Sequence, residues 1–212
     1  MKLMTTRKAA TVNNSRTFED KKREILEVSV EIFSERGYRA TGLRDIAERV
    51  GLRQPSLYYY FPSKEHILIE LYEQVMEDSI RAVLAVAEKG LEPDVAFREV
   101  LEERIRYMCM NQRLVRIFFE EEAELPAQLT KKLRRRQREY EDVYVRLLEA
   151  GVKKGKFQLS TTPRVALYTL LGAVNWSYRW YDLKGSLSVE KLASDIAEML
   201  MRSIERTRGK AK

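Results

Sequence analysis

Arg53, Gln54, Ser56, Tyr58 and Tyr59 fall within one stretch, LRQPSLYYYF, and are the residues of this chain best suited to grip a polyanion with an ordered set of base edges. Arg and Gln can each make paired hydrogen bonds to a base edge. Hydroxyls reach phosphate oxygens, and a tyrosine does either while packing on sugar or a thymine methyl. Catalytic chemistry has far less to work with. One Cys (Cys109) and one His (His66) exclude an intramolecular disulfide framework, a Cys-based zinc cluster, most transition-metal sites and His-dependent triads. There is no Gly-rich phosphate loop and no nucleophile with a His base, so the chain is expected not to be an enzyme and to need no cofactor or metal.

Pro55 lacks an N–H and fits only the first turn of a helix, so a very short helix starts near Gln54 and stops at Phe61-Pro62. Before it, Leu43, Ile46, Ala47 and Val50 share one face of a short helix over 43–50, with Gly42 as N-cap, Asp45 three residues on, and Gly51 closing it. Two short helices joined by a glycine turn have the length and punctuation of a helix-turn-helix. Leu43, Ile46, Ala47, Val50, Leu52 and Leu57 supply its apolar kernel. Tyr58, Tyr59 and Tyr60 are spread over roughly 200° of a helix and cannot all face inward.

The remaining apolar periodicities are helical and none is strand-like. A first helix runs 18–36 and ends at Gly37. A fourth, opened by Ser63, Glu65 and His66, runs about 25 residues toward Gly90, and others are expected near 94–110, 113–123, 126–154, 163–182 and 188–207. The fold class is therefore all-α with about nine helices. The domains are a basic arm over 1–17, a three-helix DNA-binding domain over 18–64 and a helical domain over 65–212, the last a ligand-binding and dimerisation domain only on what a family resemblance carried by the motif implies. The arm, with Lys2, Arg7, Lys8 and Arg16 and no acid, is either a solvated disordered tail or a groove-binding arm.

The segment RDIAERVGLRQPSLYYYFPSKEHIL resembles the DNA-binding segment of the TetR family of one-component repressors, and the helical remainder has the length of that family's regulatory domain. The resemblance implies a homodimer on a palindromic double-stranded DNA operator, released by a small-molecule effector. It implies that Gln54, Pro55 and Ser56 face base edges, that Arg53, Tyr58 and Tyr59 contact phosphates or bases, and that Lys64 and the start of the fourth helix clamp a phosphate. Two residues depart from the family pattern: Gly42 stands where a hydroxyl cap is usual, and Pro55 where a small flexible residue is common.

Charge gives independent support. Of a net +7, residues 1–64 carry +5, from 13 Lys or Arg against 8 Asp or Glu, so the positive excess sits with the motif, where counterion release would use it. A basic run, Lys131, Lys132, Arg134, Arg135, Arg136 and Arg138, fits a solvated helix face better than a phosphate site.

In the second half, PRVALYTLLGAVNWSYRWYD is apolar nearly all round, as a helix buried between a core and a partner would be. With the amphipathic segment carrying Leu192, Ile196, Met199, Leu200 and Ile204 it would make a four-helix interface with a two-fold copy, as the resemblance implies. Tyr107, Met108, Leu114, Ile117, Phe118, Tyr140, Tyr144 and Leu147 are either ordinary core or the walls of an effector site. Arg104, Arg106, Arg113, Arg116 and Arg179, scattered beside them, favour an anionic, partly apolar effector.

NWSYRWYDLKGSLS resembles a TetR subgroup answering to acyl-coenzyme A thioesters, including regulators of fatty-acid and steroid-ring breakdown. The site expected on that resemblance comprises Tyr107, Phe118, Tyr144, Trp176, Arg179 and Trp180. Arg179 and Trp180 would hold the polar end. The alternatives are a different hydrophobic effector, multidrug or lipid-like, or a helical interaction module without DNA. With no apolar stretch long enough for a membrane span and no signal-like start, the expected compartment is the cytoplasm, with no membrane partner.

Overall fold

The computed structural model describes residues 6–206, with side chains from residue 17. Ten α-helices and one short 3₁₀ turn follow one another: α1 Thr6–Arg36, α2 Leu43–Arg49, α3 Gln54–Leu57, α4 Lys64–Ala87, α5 Pro93–Met110, α6 Gln112–Glu120, the 3₁₀ turn Glu122–Glu124, α7 Ala127–Lys153, α8 Pro163–Asn175, α9 Ser177–Trp180 and α10 Val189–Ile204. Among the described residues the only β-type pairing is an isolated bridge between Phe157 and Glu205. No helix among them is long and apolar enough to cross a membrane.

Two differences from the sequence reading have local causes. The stretch expected as an irregular arm is helical from Thr6 on, while residues 1–5 lie outside the described residues. Thr6 to Thr17 contain neither Gly nor Pro, so nothing in the chain stops the helix from extending ahead of its apolar stripe. The single helix expected over 163–182 is two. At the break, buried Ser177 turns its hydroxyl back onto the carbonyl of Val174 at 2.7 Å, the Trp176 N–H donates to the Gly172 carbonyl, and the Arg179 N–H donates to the Trp176 carbonyl. A serine bonding backward competes with the helix ladder without any Pro or Gly to announce it.

The chain divides into two compact units, and not at residue 64. The first comprises the residues up to Tyr72 together with Arg116–Leu125; the second comprises Glu73–Val115 and the chain from Pro126. In the first unit, Ile25, Ile32 and Phe33 of α1, Ile46 and Ala47 of α2, Leu57 of α3, Phe61, and Ile67, Leu68 and Leu71 of α4 are buried. Gly37 and Gly51 end α1 and α2 at φ +84° and +69°, the left-handed conformation that glycine adopts without strain. In the second unit α5 is central, with α7, α8, α9 and α10 packed on it. Its core joins Val83 and Val86 of α4 to Phe97, Leu101 and Ile105 of α5, Tyr144 and Leu148 of α7, Leu167 and Val174 of α8, and Ala193 and Ala197 of α10.

Phe157 locks the end of α7 to this core. Its ring stands 5.8 Å from that of Phe97, and a Cβ placed on Gly151 would lie 2.1 Å from it. No shift of a flexible side-chain end relieves such a contact, because the ring is itself buried. Gly151→Ala is expected to cost about 1–3 kcal/mol in stability by overpacking. The urea midpoint of the variant, compared with that of the parent, measures it.

Candidate functional site

The helix-turn-helix is set by a kernel that leaves its polar residues outside. Gly42 caps α2 in an extended conformation, and the Asp45 carboxylate accepts from the Gly42 N–H at 2.7 Å, so one orphan donor is satisfied without a side chain on the cap. Arg53 caps α3, and Pro55 occupies its second position. With Leu57 buried, Arg53, Gln54, Pro55, Ser56, Tyr58 and Tyr59 are all exposed, Tyr59 to 74%. Tyr60 alone of the three tyrosines turns inward, where it stacks on Phe18 of α1 at 4.9 Å. Phe18 also meets the edge of Tyr59 at 5.4 Å and so steadies a side chain that is otherwise open.

Lys64 lies elsewhere than a phosphate clamp requires. Its ammonium donates to the carbonyls of Tyr38 (2.7 Å) and Thr41 (2.8 Å), stands 3.5 Å from that of Arg39, and sits 4.2 Å above the Tyr38 ring. An ammonium has three donors, and these carbonyls engage them, so Lys64 holds the turn between α1 and α2 instead of reaching outward. Burial pulls its pKa below the usual lysine value, and Glu124 and Glu121 work in the opposite direction. Burial, followed by the charges of Glu65, Glu124 and Glu121, pushes the Tyr38 hydroxyl up to about 12. Lys21 acts similarly on α2, donating to the Val50 carbonyl at 2.9 Å.

The segment Arg116–Leu125 completes this unit. Glu121 accepts from the Tyr38 N–H at 3.2 Å, Glu124 pairs with Arg39 at 2.7 Å, and the Tyr72 hydroxyl donates to the carbonyl of Phe118 at 2.7 Å. The Phe118 ring lies 4.8 Å from that of Tyr72. Phe118, expected in the effector site, therefore belongs to the unit that carries the helix-turn-helix.

The second unit holds a cavity of about 270 Å³ among α4, α5 and α7, walled by Ser79, Val83, Val100, Arg104, Tyr107 and Tyr144, among others. Of the expected effector residues it brings together Tyr107 and Tyr144. Trp176 and Trp180 are instead 56% and 53% exposed, and Arg179 stacks its guanidinium 4.6 Å from the Trp176 ring centre at the surface. Trp176 continues the exposed face of α8 that carries Val165, Tyr168, Gly172 and Ala173, and Arg179 and Trp180 of α9 are exposed as well. Of the five arginines singled out in the sequence, only Arg104 lines the cavity.

Ser79 is a wall residue that the sequence reading does not name, and Tyr140, one of the candidates it names, lines the same cavity. The signal for Ser79 is present in the sequence: it sits at four-residue spacing between Val75 and Val83, a polar side chain at a buried position of an apolar stripe. The basic run on α7 is a solvated face, with Lys132 paired to Glu73, Arg135 to Glu139 and Arg136 to Glu77.

Comparison with known proteins agrees with this arrangement. Residues 25–71 match the family of bacterial regulatory proteins, tetR family, and residues 90–204 match the tetracyclin repressor-like C-terminal domain. The chain is similar to the HTH-type transcriptional repressor KstR2 of Rhodococcus jostii (strain RHA1), at 27% identity over 84% of this chain and 88% of the relative. It is similar to a transcriptional regulator of the TetR/AcrR family from Thermobifida fusca YX-ER1, at 35% identity, covering 88% of this chain and 100% of that one with a TM-score of 0.69. Its fold is also that of AibR, solved in complex with isovaleryl coenzyme A and operator DNA, at 24% identity, 85% and 98% coverage and a TM-score of 0.77. A match to the C-terminal domain over more than half of the chain, joined to an N-terminal helix-turn-helix match, establishes that the chain belongs to the TetR family and is a DNA-binding transcriptional repressor, not an enzyme.

Proposed function

We propose that this repressor binds a palindromic operator as a homodimer and leaves it when an acyl-coenzyme A thioester binds the second unit, acting in the cytoplasm. The observation that carries the DNA half of the reading is the exposed set Gln54, Pro55, Ser56, Tyr58 and Tyr59 around the buried Leu57. One recognition helix reads only a few base pairs, so a two-fold protein on a two-fold site is the arrangement that yields a useful specificity. Gln54 and Ser56 face base edges, with Pro55 between them. Arg53, Tyr58 and Tyr59 serve phosphates or base edges. Lys64 supports them from behind by fixing the α1–α2 turn.

The surface of α8 supports the homodimer. Ala166, Leu167, Leu170, Leu171 and Val174 face the core, while Val165, Tyr168, Thr169, Gly172, Ala173 and Trp176 form an exposed stripe on the other side. A stripe of this kind, with Gly172 and Ala173 permitting close approach of another backbone, is the surface a two-fold copy would cover. Exposed Met199 and half-buried Ile196 on α10 offer a second row. Trp176, Arg179 and Trp180 are better placed to join this face than to enclose an acyl chain.

The thioester reading is supported by one neighbour: AibR, whose fold this chain shares, was solved with isovaleryl coenzyme A and operator DNA. The cavity bounded by Tyr107 and Tyr144 is then the place for the acyl part. α4 is the element that could pass binding on, since its residues up to Tyr72 fold with the first unit and those from Glu73 with the second. An effector acts on the operator only through a difference in its affinity for two packings.

Three outcomes are expected. Gln54→Ala should cost about 1–3 kcal/mol at one operator position and relax the preference there, measured by gel shift against a set of single-base operator variants. Uniform weakening across the set would remove Gln54 from base reading. Gly172→Arg should yield a folded monomer in analytical ultracentrifugation, since a side chain at Gly172 meets nothing of its own chain within 4 Å; a dimer of undiminished stability would place the interface elsewhere. Adding acyl-coenzyme A thioesters of graded length should lower operator affinity about 5–150-fold for the matching member. Indifference to every member would exclude the effector class.

A further inference from the structure

The charged residues around the cavity of the second unit are satisfied by one another, with one exception. Asp78 pairs with Arg81 and accepts from the Tyr107 hydroxyl at 3.3 Å, and Glu103 pairs with Arg106 at 2.8 Å. Arg104 has only neutral partners: Nη1 donates to Ser79 Oγ at 2.7 Å, Nε donates to Asn175 Oδ1 at 3.1 Å, and the guanidinium lies 5.8 Å from the Tyr140 ring centre. Among the described residues no carboxylate pairs with it.

A guanidinium carries five N–H donors in a planar fork suited to two oxygens of one carboxylate, and two of the five are used here. A partly buried cation without an anion is costly. The half-buried Arg106 and Arg136, by contrast, each have a carboxylate. Next to Arg104, Tyr140 and Tyr144 share a hydrogen bond of 2.9 Å. That bond uses one of their two hydroxyl protons and leaves the other to donate. Burial raises the pKa of the Tyr144 and Tyr107 hydroxyls, so both stay protonated at neutral pH. The cavity thus offers donors of two kinds and a positive charge in need of an anion.

We propose that Arg104, with the hydroxyl pair of Tyr140 and Tyr144, forms a carboxylate-binding site that selects effectors whose acyl group ends in a second carboxylate. This rests on the thioester reading above and deepens it. The space also suits a short acyl group. At about 30 Å³ for each water-sized group, the 270 Å³ of the cavity accommodates about nine non-hydrogen atoms, the number in an adipoyl group. A simple fatty acyl group leaves the guanidinium unanswered.

Titration calorimetry on the full-length protein with adipoyl-coenzyme A, hexanoyl-coenzyme A and free adipate tests this. Adipoyl-coenzyme A is expected to bind at least about tenfold more tightly than hexanoyl-coenzyme A, the scale of a charge-assisted hydrogen-bonded pair. In Arg104→Met that preference should fall to twofold or less, and Arg104→Lys should restore part of it. The comparison of two ligands on the unaltered protein does not depend on either variant folding. Equal affinity for the two thioesters would overturn the carboxylate site and leave the thioester reading standing. Binding of free adipate alone, lost in Arg104→Met, would support the site and overturn the thioester reading. Binding of none of the three would overturn both.

Discussion

Two lysine ammonium groups, one on the turn between α1 and α2 and one on the carbonyl that caps α2, hold the DNA-reading unit in shape. A helix leaves its last carbonyls unpaired and its C-terminal end partly negative, and a cation placed there answers both at once. Lys64, the first residue of α4, takes the carbonyls beyond α1, and Lys21 of α1 takes the carbonyl that caps α2. Each contact joins two elements far apart in sequence, so α1, α2 and α4 constrain one another through charge as well as through the buried contacts of Ile25, Ile46 and Leu68. The glutamates of Arg116–Leu125 add a third tie, because Glu121 fixes the same turn from its N–H side. What remains free is the short α3 and its outward residues, which is the arrangement a reading head needs: a rigid base and unencumbered side chains.

This assignment changes how the positive charge of residues 1–64 is understood. Part of it is spent inside the unit. Lys64 and Lys21 face carbonyls, and Lys22 pairs with Glu70 while lying 5.5 Å from the Phe61 ring. Arg53 and Arg44 remain at the surface, the latter in an exposed pair with Glu48 that water and salt weaken. A count of basic residues therefore overstates the number available to phosphates, and the number of counterions released on DNA binding is expected to be smaller than the composition alone suggests.

The sequence reveals the helix-turn-helix because everything that forms it is local. Gly42 with Asp45, Gly51, Pro55 and the spacing of Ile46, Ala47 and Leu57 lie within one stretch, and each acts on its neighbours within a turn or two. The same holds for the long helices and for the two-faced apolar character of α8. The effector cavity is of another kind, since Ser79, Arg104 and Tyr144 meet only after three helices pack, and their types are also common in ordinary cores. Phe118 shows the cost of grouping residues by composition: it looks like one more aromatic of the regulatory half, yet the chain folds back so that Tyr72 bonds its carbonyl in the other unit. Trp176, Arg179 and Trp180 differ for another reason: their types suit a pocket wall and an exposed interface stripe equally well, and only the packing of α8 shows that its inner face is made of Leu167, Leu170, Leu171 and Val174 instead.

A cleft of this size between packed helices needs a reason to stay open. Cores pack as densely as organic crystals, and an apolar hole is removed when neighbouring side chains can slide into it. Here the walls are held by bonds that collapse would break: Arg104 to Ser79 and Asn175, Tyr107 to Asp78, and Tyr140 to Tyr144. Breaking these bonds would leave polar groups unpaired, which costs more than a small gain in apolar contact returns. The polar residues that give the cavity its chemistry are thus also those that prevent its closure. That double role explains why a search for apolar residues alone finds only part of its boundary.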